Sequence, residues 1–231
     1  MRKKIWLLIP IISALCFCLA MKPDVLSHRN ACARKTLKWE KINAAVSEVC
    51  LPAQLPSQSA FQYYSQIDPR WKDYLYGGRD PMSKYGCGPT VLAMLVSSLT
   101  PECVTPVDMA QWAAGHGYFS PGGGSRHSLI PDGCAAFGLK VESLSVHTEE
   151  ALRMPLYYHK LIVLLMGPGH FTQKGHFIIL TGINENGMIT VADPFNEENC
   201  SIAWPAQLLL DELSDKAVSG GPVWVVSAPE A

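Results

Sequence analysis

The 231-residue chain lacks an excess of positive charge. Its 19 Lys and Arg stand against 20 Asp and Glu, a net of -1. A protein that binds nucleic acid by neutralising phosphates needs a basic surface, so that partner class is disfavoured. Charge of either sign is scarce, at 17% against 48% hydrophobic residues, which excludes a disordered chain. No two cysteines share a C-x-x-C spacing, so a zinc site lacks its usual ligand pattern. No internal repeat is visible. Aromatic repeats of the kind carried by cell-wall-binding modules are missing too, which counts against a wall hydrolase.

The charge that is present is uneven. Arg2, Lys3 and Lys4 precede residues 5–21, which are 17 positions without charge. Without those three cations, 16 basic residues face 20 acidic ones, a net of -4. A cationic start before an apolar run is the pattern of an export signal or a membrane anchor. The run lies at the short end of the spanning range of about 17 to 25 residues. Cys18-Leu19-Ala20 offers small residues for cleavage after Ala20. Leu15 and Phe17 are too large to precede a lipid-modified cysteine. A cleaved signal and a retained anchor both fit, and either puts the bulk of the chain outside the cytoplasm. Of eight cysteines, Cys32, Cys50, Cys87, Cys103, Cys134 and Cys200 lie beyond the run. An oxidising compartment allows disulfides among them. If one is a working thiol, five remain and at least one of those stays unpaired.

The expected organisation is a signal or anchor over 1–21, a helical segment and linker over 22–59, and one compact domain over 60–231. Residues 36–49 space Trp39, Ile42, Val46 and Val49 as a helix does, and residues 51–59 are rich in Pro, Ser and Gln. In the domain, residues 89–99 read as an apolar helix with Pro89 first. Thr105 and Asp108 form a capping box before a second helix that Gly117 ends. Ser125 is expected to cap a third helix, closed by Gly138. Strands are expected over 140–146, 161–166, 177–183, 188–192 and 223–227, and helices over 148–158 and 204–213. Asn184-Glu185-Asn186-Gly187 is a hairpin signal. Helices first and antiparallel strands later describe the α+β class.

Gly86-Cys87-Gly88-Pro89-Thr90 places a thiol at a helix start. The positive end of the helix dipole and free backbone N–H groups favour thiolate, the nucleophilic form. The flanking glycines let another backbone or a substrate come close. A small buried hydrophobe is the plainer role for a cysteine. Gly175-His176-Phe177 puts a histidine at the head of one strand, and Asp193-Pro194 puts an acid at the tail of the next. If residues 184–187 form the loop, Ile183 pairs with Met188 and Ile178 faces Asp193. His176 and Asp193 are then diagonal neighbours, about 7 to 8 Å apart at the backbone. A slip of one residue would part them. A carboxylate on one ring nitrogen fixes the tautomer and frees the other nitrogen for a thiol. His170, in the Gly167-Pro168-Gly169-His170 loop, is the rival histidine.

Four stretches together carry a family resemblance. They are Gln66-x-Asp68-x-x-Trp71, Tyr85-Gly86-Cys87-Gly88-Pro89-Thr90, Gly175-His176-Phe177 and Asp193-Pro194. The chain resembles the papain-like cysteine peptidases of the bacteriocin-processing, double-glycine leader group, in their stand-alone form. The resemblance covers roughly residues 61–227. It implies a papain-like fold, with N-terminal helices packed on an antiparallel β-sheet. It also implies Cys87 as nucleophile, His176 as base and acid, Asp193 as its orienting residue and Gln66 as an oxyanion donor. No cofactor or metal is implied, and the partner is a peptide or protein substrate. Gln66 lies 21 residues before Cys87, farther than in the leader-processing transporters, and an ordinary polar residue is its simpler role. Asp68 and Trp71 are expected to build a turn, and residues 122–127 to form a surface loop or a cleft wall. No transporter domain fits in the chain, so leader specificity does not carry over. Two alternatives share these residues: a hydrolase of peptidoglycan stem peptides, and a non-catalytic binding domain with Cys87 tied in a disulfide to Cys103 or Cys134.

Overall fold

A computed structural model describes residues 61–229. The expected signal or anchor over 1–21, the helix over 36–49 and the linker over 51–59 lie outside the described residues. Within them, no helix is long and apolar enough to cross a membrane.

Two short strands, β1 (Leu75–Tyr76) and β2 (Asp80–Pro81), lead into a one-turn helix α1 (Met82–Tyr85). Helix α2 (Cys87–Leu99) follows after Gly86. It is the central helix because it is apolar on nearly every side: Val91 through Val96 are all 0% exposed. Full burial of each Val, Leu and Met side chain among them contributes about 1.5–3 kcal/mol. Helix α3 (Pro106–Gly115) starts with the expected capping box, Asp108 N–H donating to Thr105 Oγ1 and Thr105 N–H to Asp108 Oδ2. Strands β3 (Phe119–Ser120) and β4 (Gly124–Ser125) form a small ribbon. Helix α4 (Leu129–Ala136) comes next, and Gly138 at φ 76° turns the chain out of it.

The main sheet has six strands in the order β5-β10-β6-β7-β8-β9, every neighbouring pair antiparallel. They are β5 (Lys140–Ser143), β6 (Leu161–Met166), β7 (His176–Ile183), β8 (Ile189–Ala192), β9 (Ala203–Trp204) and β10 (Val223–Ser227). Alternation along the strands divides two cores. Val163, Leu165, Phe177, Ile179, Trp224 and Val226 join α2 and its neighbours on one face. Ile162, Leu164, Ile178, Leu180, Val223 and Val225 join helices α5 (Glu149–Tyr157) and α6 (Ala206–Asp211) on the other. With both faces covered, β6 is buried at all six positions and reads as an unbroken apolar run. The class is α+β, with helical layers on both sides of the sheet.

Several expected boundaries move. Cys87, not Pro89, is the first helical residue of α2, and Gly86 is its cap. Pro89 sits in the first turn, where N–H groups have no intrahelical acceptor to lose; the first bond of the helix is Thr90 N–H to Gly86 O at 3.0 Å. Ser125 does not cap α4. It belongs to β4 and its hydroxyl meets the Tyr76 hydroxyl at 3.0 Å. Trp204 lies in β9 rather than in a helix, its indole N–H bonded to Asn199 O at 3.1 Å, and α6 starts after Pro205. Asn184 closes a longer turn, so Ile183 pairs with Ile189 instead of Met188. A bulge between Leu180 and Gly182 then restores the expected register, with Ile179 opposite Ala192.

Candidate active site

The site lies where the start of α2 meets the head of β7 and the tail of β8. Cys87 occupies the first turn of α2, half-buried, with a free thiol. The glycines beside it let neighbouring groups come close, as expected. A Cβ on Gly88 would stand 2.6 Å from Ser125 Oγ, and one on Gly86 would stand 2.5 Å from Met82 O. Both glycines therefore seat the turn that bears Cys87 tightly against its surroundings.

His176 is the first residue of β7 and is buried. Its Nε2 is 2.7 Å from Asp193 Oδ1. The diagonal placement expected from the hairpin is met. Asp193 is fully buried and held on every polar atom. Its Oδ1 also accepts from Phe195 N–H at 2.8 Å and Asn196 N–H at 3.2 Å. Its Oδ2 accepts from Asn199 Nδ2 at 2.7 Å. Its backbone carbonyl accepts from the Tyr63 hydroxyl at 2.8 Å, and its N–H points at Cys200 Sγ at 3.3 Å.

Electrostatics link the three groups. Burial pushes the Cys87 thiol up, but a hydrogen bond and charge from His176, with the backbone N–H groups of Phe177 and Gly88, outweigh it and bring it below its ordinary value. Burial pushes His176 down, yet its bonds to Asp193 and Cys87 lift it to about 9. Burial raises the Asp193 carboxyl, and His176, Asn199 and the Phe195 N–H bring it below its usual range. In direction, all three shifts favour the charged form of each group.

Gln66 is buried near this centre, its backbone N–H bonded to Pro194 O at 2.7 Å. Its Nε2 donates to Ser83 O at 2.9 Å and to Met82 O at 3.3 Å, in α1 just ahead of Cys87. Its Oε1 has no hydrogen-bond partner among the described residues. Asp68 and Trp71 build a turn as expected: Trp71 N–H bonds Asp68 O at 3.0 Å and its indole N–H bonds Ser65 O at 2.8 Å. His170, the rival histidine, bonds Glu212 through both its ring and its backbone N–H. Of the loop at residues 122–127, His127 meets the Phe177 ring edge-on at 6.1 Å.

A family sequence profile described as Peptidase_C39 like family matches residues 58–208, more than half of the chain. The chain belongs to the Peptidase_C39 like family. No curated protein matches it. Among solved structures, the peptidase domain of Streptococcus ComA, a bifunctional ABC transporter of a quorum-sensing pathway, is 15% identical. That likeness covers 64% of this chain and 93% of that one, with a TM-score of 0.43. A protein assigned as a C39-like peptidase from Bacillus anthracis is 12% identical, over 74% of this chain and 96% of its own, with a TM-score of 0.49. A double-glycine motif protease from an AMS/PCAT transporter, solved with its leader peptide, is 16% identical. It covers 62% of this chain and 83% of its own, with a TM-score of 0.39.

For this C39-like chain, sequence reasoning did not find the shell around Asp193. Tyr63, Asn199 and Cys200 all contact it. Their only local signal is a run of turn-forming residues after Asp193-Pro194, which holds Asn199 six positions downstream. Tyr63 comes from 130 residues away and has no such signal.

Proposed function

We propose that this chain is an extracytoplasmic cysteine peptidase that hydrolyses amide bonds in a peptide or protein. The observation that carries the reading is the buried His176 ring, bonded to Asp193 on one nitrogen and electrostatically joined to the free Cys87 thiol. Cys87 thiolate adds to the amide carbonyl carbon and forms a C–S bond. The oxygen that becomes negative is held by the Cys87 backbone N–H, at the start of α2, and by Gln66 Nε2, which gives up its long 3.3 Å bond to Met82 O. His176 gives its proton to the leaving amine as the C–N bond breaks, leaving a thioester on Cys87. His176 then takes a proton from water, whose oxygen attacks the thioester. The acid departs and the thiolate–imidazolium pair returns.

Cys103 is disulfide-bonded, which agrees with an oxidising compartment and with the apolar run over 5–21 after three cations. The free state of Cys87 disfavours the alternative of a binding domain with that thiol locked in a disulfide. The test is labelling with an electrophilic probe, mapped by mass spectrometry, beside hydrolysis of casein-derived peptides and of purified cell wall. Cys87→Ala should abolish both labelling at that site and hydrolysis. Undiminished hydrolysis by that variant removes the mechanism.

A further inference from the structure

Asp193 Oδ2 has one hydrogen-bond donor among the described residues, Asn199 Nδ2 at 2.7 Å. Asn199 is itself buried and locked from two sides. Its N–H bonds Asn196 O at 3.2 Å and its carbonyl accepts the Trp204 indole N–H at 3.1 Å. The short 3-10 turn Glu197–Ser201 thus aims one amide at the carboxylate oxygen that His176 does not use.

We propose that Asn199 is a positioning residue of the reaction, holding the Asp193 carboxylate in the plane in which Oδ1 meets His176 Nε2. The proposal rests on the peptidase reading above. A buried carboxylate oxygen with no donor would turn toward any group that could satisfy it, and Oδ1 would leave His176 with it. The other titratable groups facing Asp193 are His176, Tyr63 and Cys200, and Glu197 lies close enough for Tyr63 and Cys200 to feel it. None of these donates to Oδ2. Tyr63 bonds the backbone carbonyl, and the Cys200 thiol, pushed up to about 11 by burial, stays protonated against the backbone.

The test uses the full chain and compares wild type with Asn199→Ala and Asn199→Ser. Asn199→Ala loses the donor and should lower kcat about tenfold or more, with KM within about twofold. The midpoint of Cys87 alkylation by iodoacetamide should rise by about one pH unit in the same variant. Asn199→Ser keeps a short donor and should recover part of both effects. Loss in KM alone, or an alkylation profile that superposes on wild type in a folded variant, overturns the proposal. Wild-type labelling and hydrolysis, with Cys87→Ala as control, are read first, so a failure of the peptidase reading shows itself separately. Should neither variant fold, the side-chain amide resonance of Asn199 in wild type decides. It should shift when alkylation of Cys87 discharges His176, and a resonance that does not move overturns the proposal.

Discussion

Replacing Asp193 with asparagine removes one charge from the centre of the site while keeping its shape. Three donors converge on Oδ1: His176 Nε2, Phe195 N–H and Asn196 N–H. One donor, Asn199 Nδ2, meets Oδ2 at 2.7 Å. The amide must therefore keep its oxygen at the Oδ1 position and turn its NH2 against Asn199 Nδ2. Two donors then face each other in a pocket with no exposure to water. The main loss is the charge on the His176 bond, about 1.5–3 kcal/mol for a hydrogen bond to an ionised group. Burial of the ring still opposes its protonation in the variant. At 1.36 kcal/mol per tenfold, the thiolate–imidazolium population near neutral pH falls about 10- to 100-fold. Iodoacetamide alkylation of Cys87, followed between about pH 5 and pH 10, measures that population directly. The midpoint of the Asp193→Asn profile should lie about one to two pH units above that of wild type, with the same rate at the alkaline plateau. A folded variant whose profile coincides with wild type would refute the link between carboxylate, ring and thiol.

Hydrolysis itself should follow a bell in pH. It rises as Cys87 ionises below its ordinary thiol value and falls as His176 loses its proton through about 9, because a neutral ring has no proton for the leaving amine. A rate that keeps climbing well beyond that point contradicts the acid role of His176. Gly88→Ala would bring a methyl to 2.6 Å from Ser125 Oγ, 2.9 Å from Ser125 Cβ and 3.0 Å from Leu129 Cδ2. The overpacking should cost about 1–3 kcal/mol in urea unfolding and slow Cys87 labelling, and an unshifted midpoint would show that the turn has slack. Thr105→Ala removes the hydroxyl that accepts from Asp108 N–H and donates to Asp108 Oδ2. It should cost about 1 kcal/mol by the same measurement, largely restored in Thr105→Ser; equal stability of alanine and wild type would mean the cap is dispensable.

Legibility tracked how local the cause was. Strands β6 and β10 were readable to the residue, because unbroken apolar runs between polar turns have few other solutions. The capping box at Thr105 and Asp108 was readable because both partners lie within one turn. Gly86-Cys87-Gly88-Pro89 gave the helix but misplaced its first residue. A proline is tolerated anywhere among the amides that lack intrahelical acceptors, so Pro89 does not mark the start alone. Ser125 and Trp204 were misassigned because their elements are fixed by distant partners. Ser125 meets Tyr76 across 49 residues, and Trp204 pairs with Ile189 on the neighbouring strand. The cage around Asp193 had the same difficulty, since Tyr63 reaches it from the start of the described chain.

The His176–Asp193 pairing was legible for an incomplete reason. Asn184 closes its turn with its backbone N–H on Met188 O and its side-chain oxygen on the N–H groups of Asn186 and Met188. That geometry moves Met188 into the loop and pairs Ile183 with Ile189. Carried unbroken down the ladder, this register would set Asp193 opposite Ile179 and put His176 on the other face. The bulge at Thr181 supplies one extra residue on β7 and cancels the shift. Thr181 Oγ1 secures it against Thr190, bonding the carbonyl at 3.2 Å and the hydroxyl at 3.0 Å. Turn chemistry and bulge are each off by one residue in opposite senses, and only their sum leaves the histidine facing the acid. A hairpin sequence therefore fixes which side chains share a face only when turn and bulge are read together, and the bulge, held by a threonine pair that ordinary strand propensity also explains, has no distinct signature in the chain.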